Sequence, residues 1–136
     1  MTNSSLAQAY LKKAADRLEI LDMLHDKEAF SDVVREAQEI VELALKGMLR
    51  SIGVEPPHFH DVGGFLLEHR ERFPEQVRTS LDRCAQVSKW LRKERELSFY
   101  GDIDFLPTEQ YDSSDSQRAK EDAYWVVGVA RKAITG

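Results

Sequence analysis

Residues 35–52 read REAQEIVELALKGMLRSI, and this stretch decides the fold. Apolar residues recur along it every three or four positions, which is the spacing of one face of an α-helix. Those residues are Ala37, Val41, Ala44, Leu45, Met48 and Ile52. A separate polar stripe comprises Arg35, Glu39, Glu42 and Lys46. The two stripes predict a long amphipathic helix with one buried side.

The sequence also suggests where this helix begins and ends. Asp26 is a residue type that caps helix N-termini, so we expect the helix to start there. Gly53 tolerates the left-handed conformation that commonly follows a helix, and Pro56 cannot continue one. We therefore predict a helix that runs to about position 52 and a loop over residues 53–60.

Helical periodicity also precedes and follows this segment. A first helix is predicted from Leu6 to about Leu24. Asp61 is the predicted N-cap of a short third helix that ends near Arg72.

Two more helices are predicted in the second half of the chain. Pro74 suits the first turn of a fourth helix, which ends near Phe99 or Tyr100. Ser114 and Gln117 form a capping-box pattern in front of a final Ala-rich helix. No stretch shows convincing strand-like alternation of apolar and polar residues. The predicted fold is therefore all-α, a four- to five-helix up-and-down bundle that forms a single domain over residues 1–136.

Composition restricts the functions open to the chain. Hydrophobic residues make up 42% of its 136 residues and charged residues 32%, which is the balance of a folded globular domain. The net charge is -5, from 19 Lys and Arg against 24 Asp and Glu. Nucleic-acid phosphates are held by clustered basic residues. Any nucleic-acid site must therefore be a local basic patch.

The single cysteine and the charged N-terminal region indicate the cellular setting. Cys84 has no second cysteine with which to form an intrachain disulfide, and its position on an apolar helix face predicts a buried thiol. Charged residues such as Lys12, Asp16 and Asp22 interrupt any apolar span near the N-terminus. We expect a cytoplasmic protein that does not insert into a membrane.

The densest basic cluster is KWLRKERE at residues 89–96. Arg92 and Arg95 are three residues apart, so on a helix they project from one side and can grip one phosphate together. The alternative interpretation is a solvated charged face in which Arg and Glu side chains pair locally.

Histidine and tryptophan residues supply weaker signals. His58 and His60 form a His-x-His pair, which ligates a metal only if a third ligand converges on it. We favour hydrogen bonding by His60 and predict neither a metal site nor a cofactor. Trp90 and Trp125 are interpreted as core or interface anchors, and the apolar surface that they leave predicts a homodimer.

Taken in order, these segments resemble the HEPN family over roughly residues 5–134. The long helix carries Gln38, Glu39 and Lys46 and is followed by Gly53 and a loop with His60. Residues 92–102, RKERELSFYGD, resemble prokaryotic HEPN proteins whose fourth helix ends in an Arg-rich stretch and a Tyr-Gly-Asp turn. The resemblance implies a helical protein, usually dimeric, that binds nucleotides or cuts RNA.

The RNA-cleaving members of that family carry a histidine four to six residues after an arginine. There the arginine stabilises phosphate charge and the histidine moves protons. Here no histidine follows Arg95, and Tyr100 stands five residues after it. A phenol has a pKa of about 10, so it is a poor proton acceptor at neutral pH. The resemblance thus implies binding without classical cleavage, with the site residues Arg92, Arg95, Lys46, Tyr100 and Asp102.

Three functional hypotheses follow. The leading one is a dimeric nucleotide- or RNA-binding protein. The second is a ribonuclease toxin of a toxin–antitoxin pair, a metal-independent endoribonuclease that uses Tyr100 or a histidine from elsewhere. The third is a structural partner of a minimal nucleotidyltransferase. We also expect the connector Gly101–Ser113 to be ordered, with Phe105 or Leu106 against the bundle and Tyr111 adding to that anchor.

Overall fold

The computed structural model describes residues 2–58, 61–100 and 111–135, and for residues 94–100 and 135 it describes the backbone alone. The helices are α1 (Asn3–Asp16), α2 (Leu18–Asp26), α3 (Phe30–Ser51), α4 (Val62–Glu68), α5 (Glu75–Arg78), α6 (Leu81–Tyr100) and α7 (Ser113–Thr135). A 3-10 turn at Arg70–Arg72 separates α4 from α5. The part of the chain described here contains no strand, so the predicted all-α bundle is confirmed.

Helix α3 is the centre of the bundle and packs against α1, α2, α4, α6 and α7. Twelve of its 22 residues are buried, which places a neighbour on most sides of the helix. The predicted stripe from Ala37 to Met48 is buried as expected, whereas Ile52 is half-buried and lies just beyond the helix as its C-cap. Burial of each large aliphatic side chain contributes about 1.5–3 kcal/mol relative to exposure.

The predicted start of the long helix at Asp26 is wrong. Asp26 is the last residue of α2, and α3 begins at Phe30 after a short turn. In that turn Glu28 has a φ of 60°, a left-handed conformation uncommon for residues other than glycine. The backbone N–H of Ala29 donates to the carbonyl of Leu24 at 2.9 Å, so this turn satisfies the end of α2.

The predicted first helix is divided in two at Arg17. The backbone N–H of Arg17 donates to Ala14 at 3.2 Å and its carbonyl accepts from Ile20 at 3.0 Å, so three-residue bonds replace the α-helical ladder there. The apolar period continues through the interruption, since Leu11 and Leu18 are both buried. Apolar spacing therefore could not reveal the break.

The segment between α3 and α6 contains α4, which begins after the N-cap Asp61 and crosses close to α6. Asp61 is the N-cap of α4 as predicted, because its side chain accepts a hydrogen bond from the backbone N–H of Gly63 at 3.1 Å. A Cβ at Gly63 would lie 2.8 Å from the Cα of Ala85, so this glycine allows α4 to cross close to α6. The predicted fourth helix is divided, since a turn at residues 79–80 separates α5 from α6.

The last helix begins two residues earlier than its predicted capping box requires. Asp112 and Asp115 cap each other: the backbone N–H of Asp115 donates to Asp112 at 3.0 Å, and that of Asp112 donates to Asp115 at 3.1 Å. The predicted pair Ser114 and Gln117 lies inside α7, where Gln117 instead bonds Glu121 at 2.8 Å. Of the connector, residues 101–110 lie outside the described part of the chain, and its Tyr111 is buried.

Candidate phosphate-binding site

Helix α6 carries the predicted arginines, and its described part spans Leu81–Tyr100. Residues three positions apart on an α-helix are separated by about 60° around its axis, so the Cα atoms of Arg92 and Arg95 lie on one side of α6. A step of five residues leaves the Cα atoms of Arg95 and Tyr100 about 140° apart around the axis. The side chains of Arg95 and Tyr100, and all of Asp102, lie outside the described atoms.

Arg92 is held by an acidic residue of the neighbouring helix. Its Nη1 lies 3.5 Å from Oδ1 of Asp61, and the Arg92 side chain is 40% exposed. The same carboxylate oxygen accepts the capping bond from Gly63. Arg92 is therefore positioned between α4 and α6 while a large part of its guanidinium side chain remains open to solvent.

Two shallow grooves adjoin this ion pair and share Asp61 and Gly64. One encloses about 240 Å³ and is lined by Asp61, Gly64, Leu67, Asp82, Ala85, Gln86 and Lys89. The other encloses about 370 Å³ and is lined by Asp61, Gly64, Phe65 and Glu68. Lys89 places a second cation one turn before Arg92 on α6.

Lys46 lies in a different groove. This groove encloses about 190 Å³ between α1 and α3, and its lining is Lys13, Arg17, Glu39, Glu42, Leu43 and Lys46. Lys46 Nζ lies 3.5 Å from Glu42, and Arg17 lies 3.3 Å from Glu39 and 3.7 Å from Glu36. Burial raises the pKa of Glu36, against the opposing effect of Arg17. The structure thus groups Lys46 with Arg17, and Arg92 with Asp61.

A third cluster joins α6 to α7 and was missed by the sequence interpretation. The guanidinium of Arg83 lies 3.9 Å from the ring centroid of Trp125, and that of Arg118 lies 3.9 Å from the ring centroid of Trp90. Between them, Asp122 lies 3.8 Å from each arginine. We name these five residues the Arg–Trp cluster. A signal existed, since on each helix an arginine precedes a tryptophan by seven residues, which is two helical turns.

This cluster alters the interpretation of the two tryptophans. Each ring is partly buried and covered by an arginine, instead of forming bare apolar surface. The large hydrophobic residues that are exposed in the described chain are Ile20, Met23 and Tyr124. Tyr124 is itself anchored, because its hydroxyl donates to Asp22 at 2.5 Å.

Two further sequence-based expectations concern Cys84 and metal ligands. Cys84 is fully buried as predicted, and burial raises the pKa of its thiol to about 12. His58 is described and His60 is not; within the described residues, no group of three or more His, Cys, Asp and Glu side chains is arranged to hold a metal ion. Among the same residues, no helix is both long and apolar enough to span a membrane.

The fold and these contacts define a class: a helical bundle in which a long basic helix presents arginines beside shallow grooves. The family model described as the HEPN domain matches residues 7–134, so the chain belongs to the HEPN family. A search of curated proteins and a search of solved structures each found no match to this chain.

Proposed function

We propose that this HEPN protein is a dimeric, cytoplasmic nucleotide- or RNA-binding protein that holds phosphate near Arg92 and Arg95 and does not cut RNA. One observation carries the proposal. From Arg83 to Lys93 the charged residues of α6 are all basic, in a chain whose net charge is -5. Within this stretch Arg92 is fixed by Asp61 yet 40% exposed. Charge-assisted hydrogen bonds from such a guanidinium suit a phosphate group.

The absence of cleavage follows from the chemistry of the residues after Arg95. No histidine lies between Arg95 and the end of the sequence. Attack by a ribose 2'-hydroxyl needs a group that accepts its proton near neutral pH. Tyr100, which stands at the spacing where the family's histidine is expected, is a poor acceptor there.

Calorimetric titration with mononucleotides and short RNAs, followed by denaturing gels of the same samples, tests both parts. We expect binding without cleavage. Arg92→Ala and Arg95→Ala should each weaken binding by about 1–3 kcal/mol, the scale of a lost charged hydrogen bond. Lys12→Ala is the matched control, because it removes an exposed positive charge from α1, where Lys12 pairs with Asp16. Equal affinities for all four proteins would contradict the proposed site.

Two alternatives give different outcomes in the same experiment. A ribonuclease toxin would cut RNA without added metal, and loss of that activity in Tyr100→Phe would assign Tyr100 a catalytic role. A structural partner of a minimal nucleotidyltransferase would bind neither nucleotide nor RNA by itself. Membership of the HEPN family is compatible with all three functions.

A further inference from the structure

The Arg–Trp cluster forms a surface whose guanidinium groups are held in place but left open. The side chains of Arg83 and Arg118 are 54% and 59% exposed, although each lies on a tryptophan ring. Asp122, which lies 3.8 Å from both arginines, is only 16% exposed. The acidic partner is therefore the most enclosed of the three charged groups, and the cations are the ones that face solvent.

The arrangement of the cluster is reciprocal. Each helix supplies one arginine and one tryptophan, and each arginine lies on the tryptophan of the other helix. A guanidinium whose carbon lies 3.9 Å from the centroid of an indole ring is held by that ring, and its exposed N–H groups can hydrogen-bond a ligand. Holding both guanidinium groups in advance reduces the side-chain entropy that a ligand would otherwise have to overcome.

The charge around the cluster extends the surface across α6. Lys89 and Lys93 are exposed, and Arg92 lies beyond them on the side of α4. Three of the described acidic side chains near this path are each within ion-pair distance of an arginine, namely Asp61, Asp82 and Asp122. A basic surface with stacking planes is the combination that binds single-stranded nucleic acids.

We propose that the Arg–Trp cluster is a second binding site, for single-stranded RNA, in which Arg83 and Arg118 hydrogen-bond backbone phosphates and stack against bases. The inference deepens the proposed function and rests on it, because the same strand would continue across Lys89 and Lys93 to the phosphate site at Arg92. Arg83 and Arg92 are nine residues apart on α6, about 13.5 Å along the helix axis, so a mononucleotide bound at Arg92 would not extend to Arg83. A polymer is therefore the ligand that uses both sites.

The fluorescence of the two tryptophans tests the proposal directly. Trp90 and Trp125 are the only tryptophans in the chain and both belong to the cluster, so their emission reports on this face alone. The probes are uridine monophosphate and an oligouridylate of about ten nucleotides, a length within the range that single-strand sites cover. We expect the oligouridylate to quench the emission and the monophosphate to leave it unchanged.

Variants separate the charge of the cluster from its stacking geometry. Arg83→Ala with Arg118→Ala should weaken oligouridylate binding at least tenfold. It should also reduce the slope of log affinity against log salt by about 1.4, since each single-strand phosphate contact contributes about 0.7. Arg83→Lys with Arg118→Lys keeps the charge, so it should retain the slope and lose affinity. The double lysine variant still tests the proposal if the double alanine variant fails to fold. Lys12→Ala should change neither the oligouridylate affinity nor the salt slope.

Three outcomes would overturn the inference. The first is oligouridylate binding that Arg92→Ala weakens but the cluster substitutions do not, with no change in tryptophan emission. The proposed function would then stand without a second site. The second is the absence of oligouridylate binding, which would reject this site whatever the monophosphate does. The third is emission that responds to protein concentration and not to RNA, which would assign this face to contact between copies.

Discussion

The carboxylate of Asp61, at the start of α4, lies 3.5 Å from the guanidinium of Arg92, in the second half of α6. The same carboxylate accepts the bond that caps α4. Asp61 therefore helps to position Arg92 by an ion pair and also offsets part of its positive charge. A phosphate that binds Arg92 must compete with this internal anion.

Replacing Asp61 by asparagine should strengthen phosphate binding. Asparagine caps helices about as well as aspartate, so α4 should keep its cap while Arg92 loses its competing charge. Exposed ion pairs contribute about 0.2–1 kcal/mol, which corresponds to at most about a fivefold gain in nucleotide affinity by calorimetry. Asp16→Asn removes an equal charge from α1 and should have no effect. Weaker binding by Asp61→Asn would show that the carboxylate supports the site instead of competing for it.

Two glycine substitutions should change stability in opposite directions. In Gly63→Ala the new Cβ would lie 2.8 Å from the Cα of Ala85, so α4 must move away from α6, at a cost of about 1–3 kcal/mol. In Gly128→Ala the new Cβ has no heavy atom within 4 Å other than its chain neighbours and the nearby backbone of its own helix, and the helix gains up to about 1 kcal/mol. Denaturant unfolding measures both. A neutral Gly63→Ala would mean that α4 can shift without cost.

Tyr124→Phe should lower stability in a manner that depends on pH. The Tyr124 hydroxyl, together with Lys120, lowers the pKa of Asp22 in the folded protein. A lowered folded pKa contributes stability above the unfolded pKa, near 4, and that stability is lost as pH falls through the lower folded value. The difference in unfolding free energy between wild type and variant should therefore shrink as the pH falls below about 4. Tyr10→Phe is the control, and a difference that stays constant with pH would contradict the assignment.

The protein should be a dimer at micromolar concentration. This expectation now depends on family membership, with the basic end of α6 near the two-fold axis, because the structure covers Trp90 and Trp125 with arginines. Light scattering over a range of concentrations should give twice the mass of the 15.6 kDa chain. A monomeric mass throughout that range would count against the dimer and against any site shared between two copies.

The fold was largely predictable because its signals are local. The stripe from Ala37 to Met48 and the cap at Asp61 both depend on residues within a few turns of one another. The errors have two causes. At Arg17 the spacing of buried residues continues although the backbone hydrogen bonds change. At Asp26 a residue type that caps helix N-termini instead ends α2.

The site was predictable only in part, because its partners come from distant segments. Spacing placed Arg92 and Arg95 on one side of α6, yet nothing in their neighbourhood indicates that Asp61 would pair with Arg92. The same holds for Arg83 and Trp125, which lie on different helices. Lys46 illustrates the converse, since it shares a polar stripe with Glu42 and pairs with it inside one helix.

The central position of α3 sets the order in which parts of the protein open. Because neighbours cover α3 on most sides, its amide hydrogens should exchange with solvent only through global unfolding. Helix α4 has seven residues and packs mainly on α6, so it can detach at a lower free energy while the bundle stays intact. Each such local opening carries Asp61 away from Arg92. We therefore expect Asp61 to separate from Arg92 through local openings that leave α3 folded.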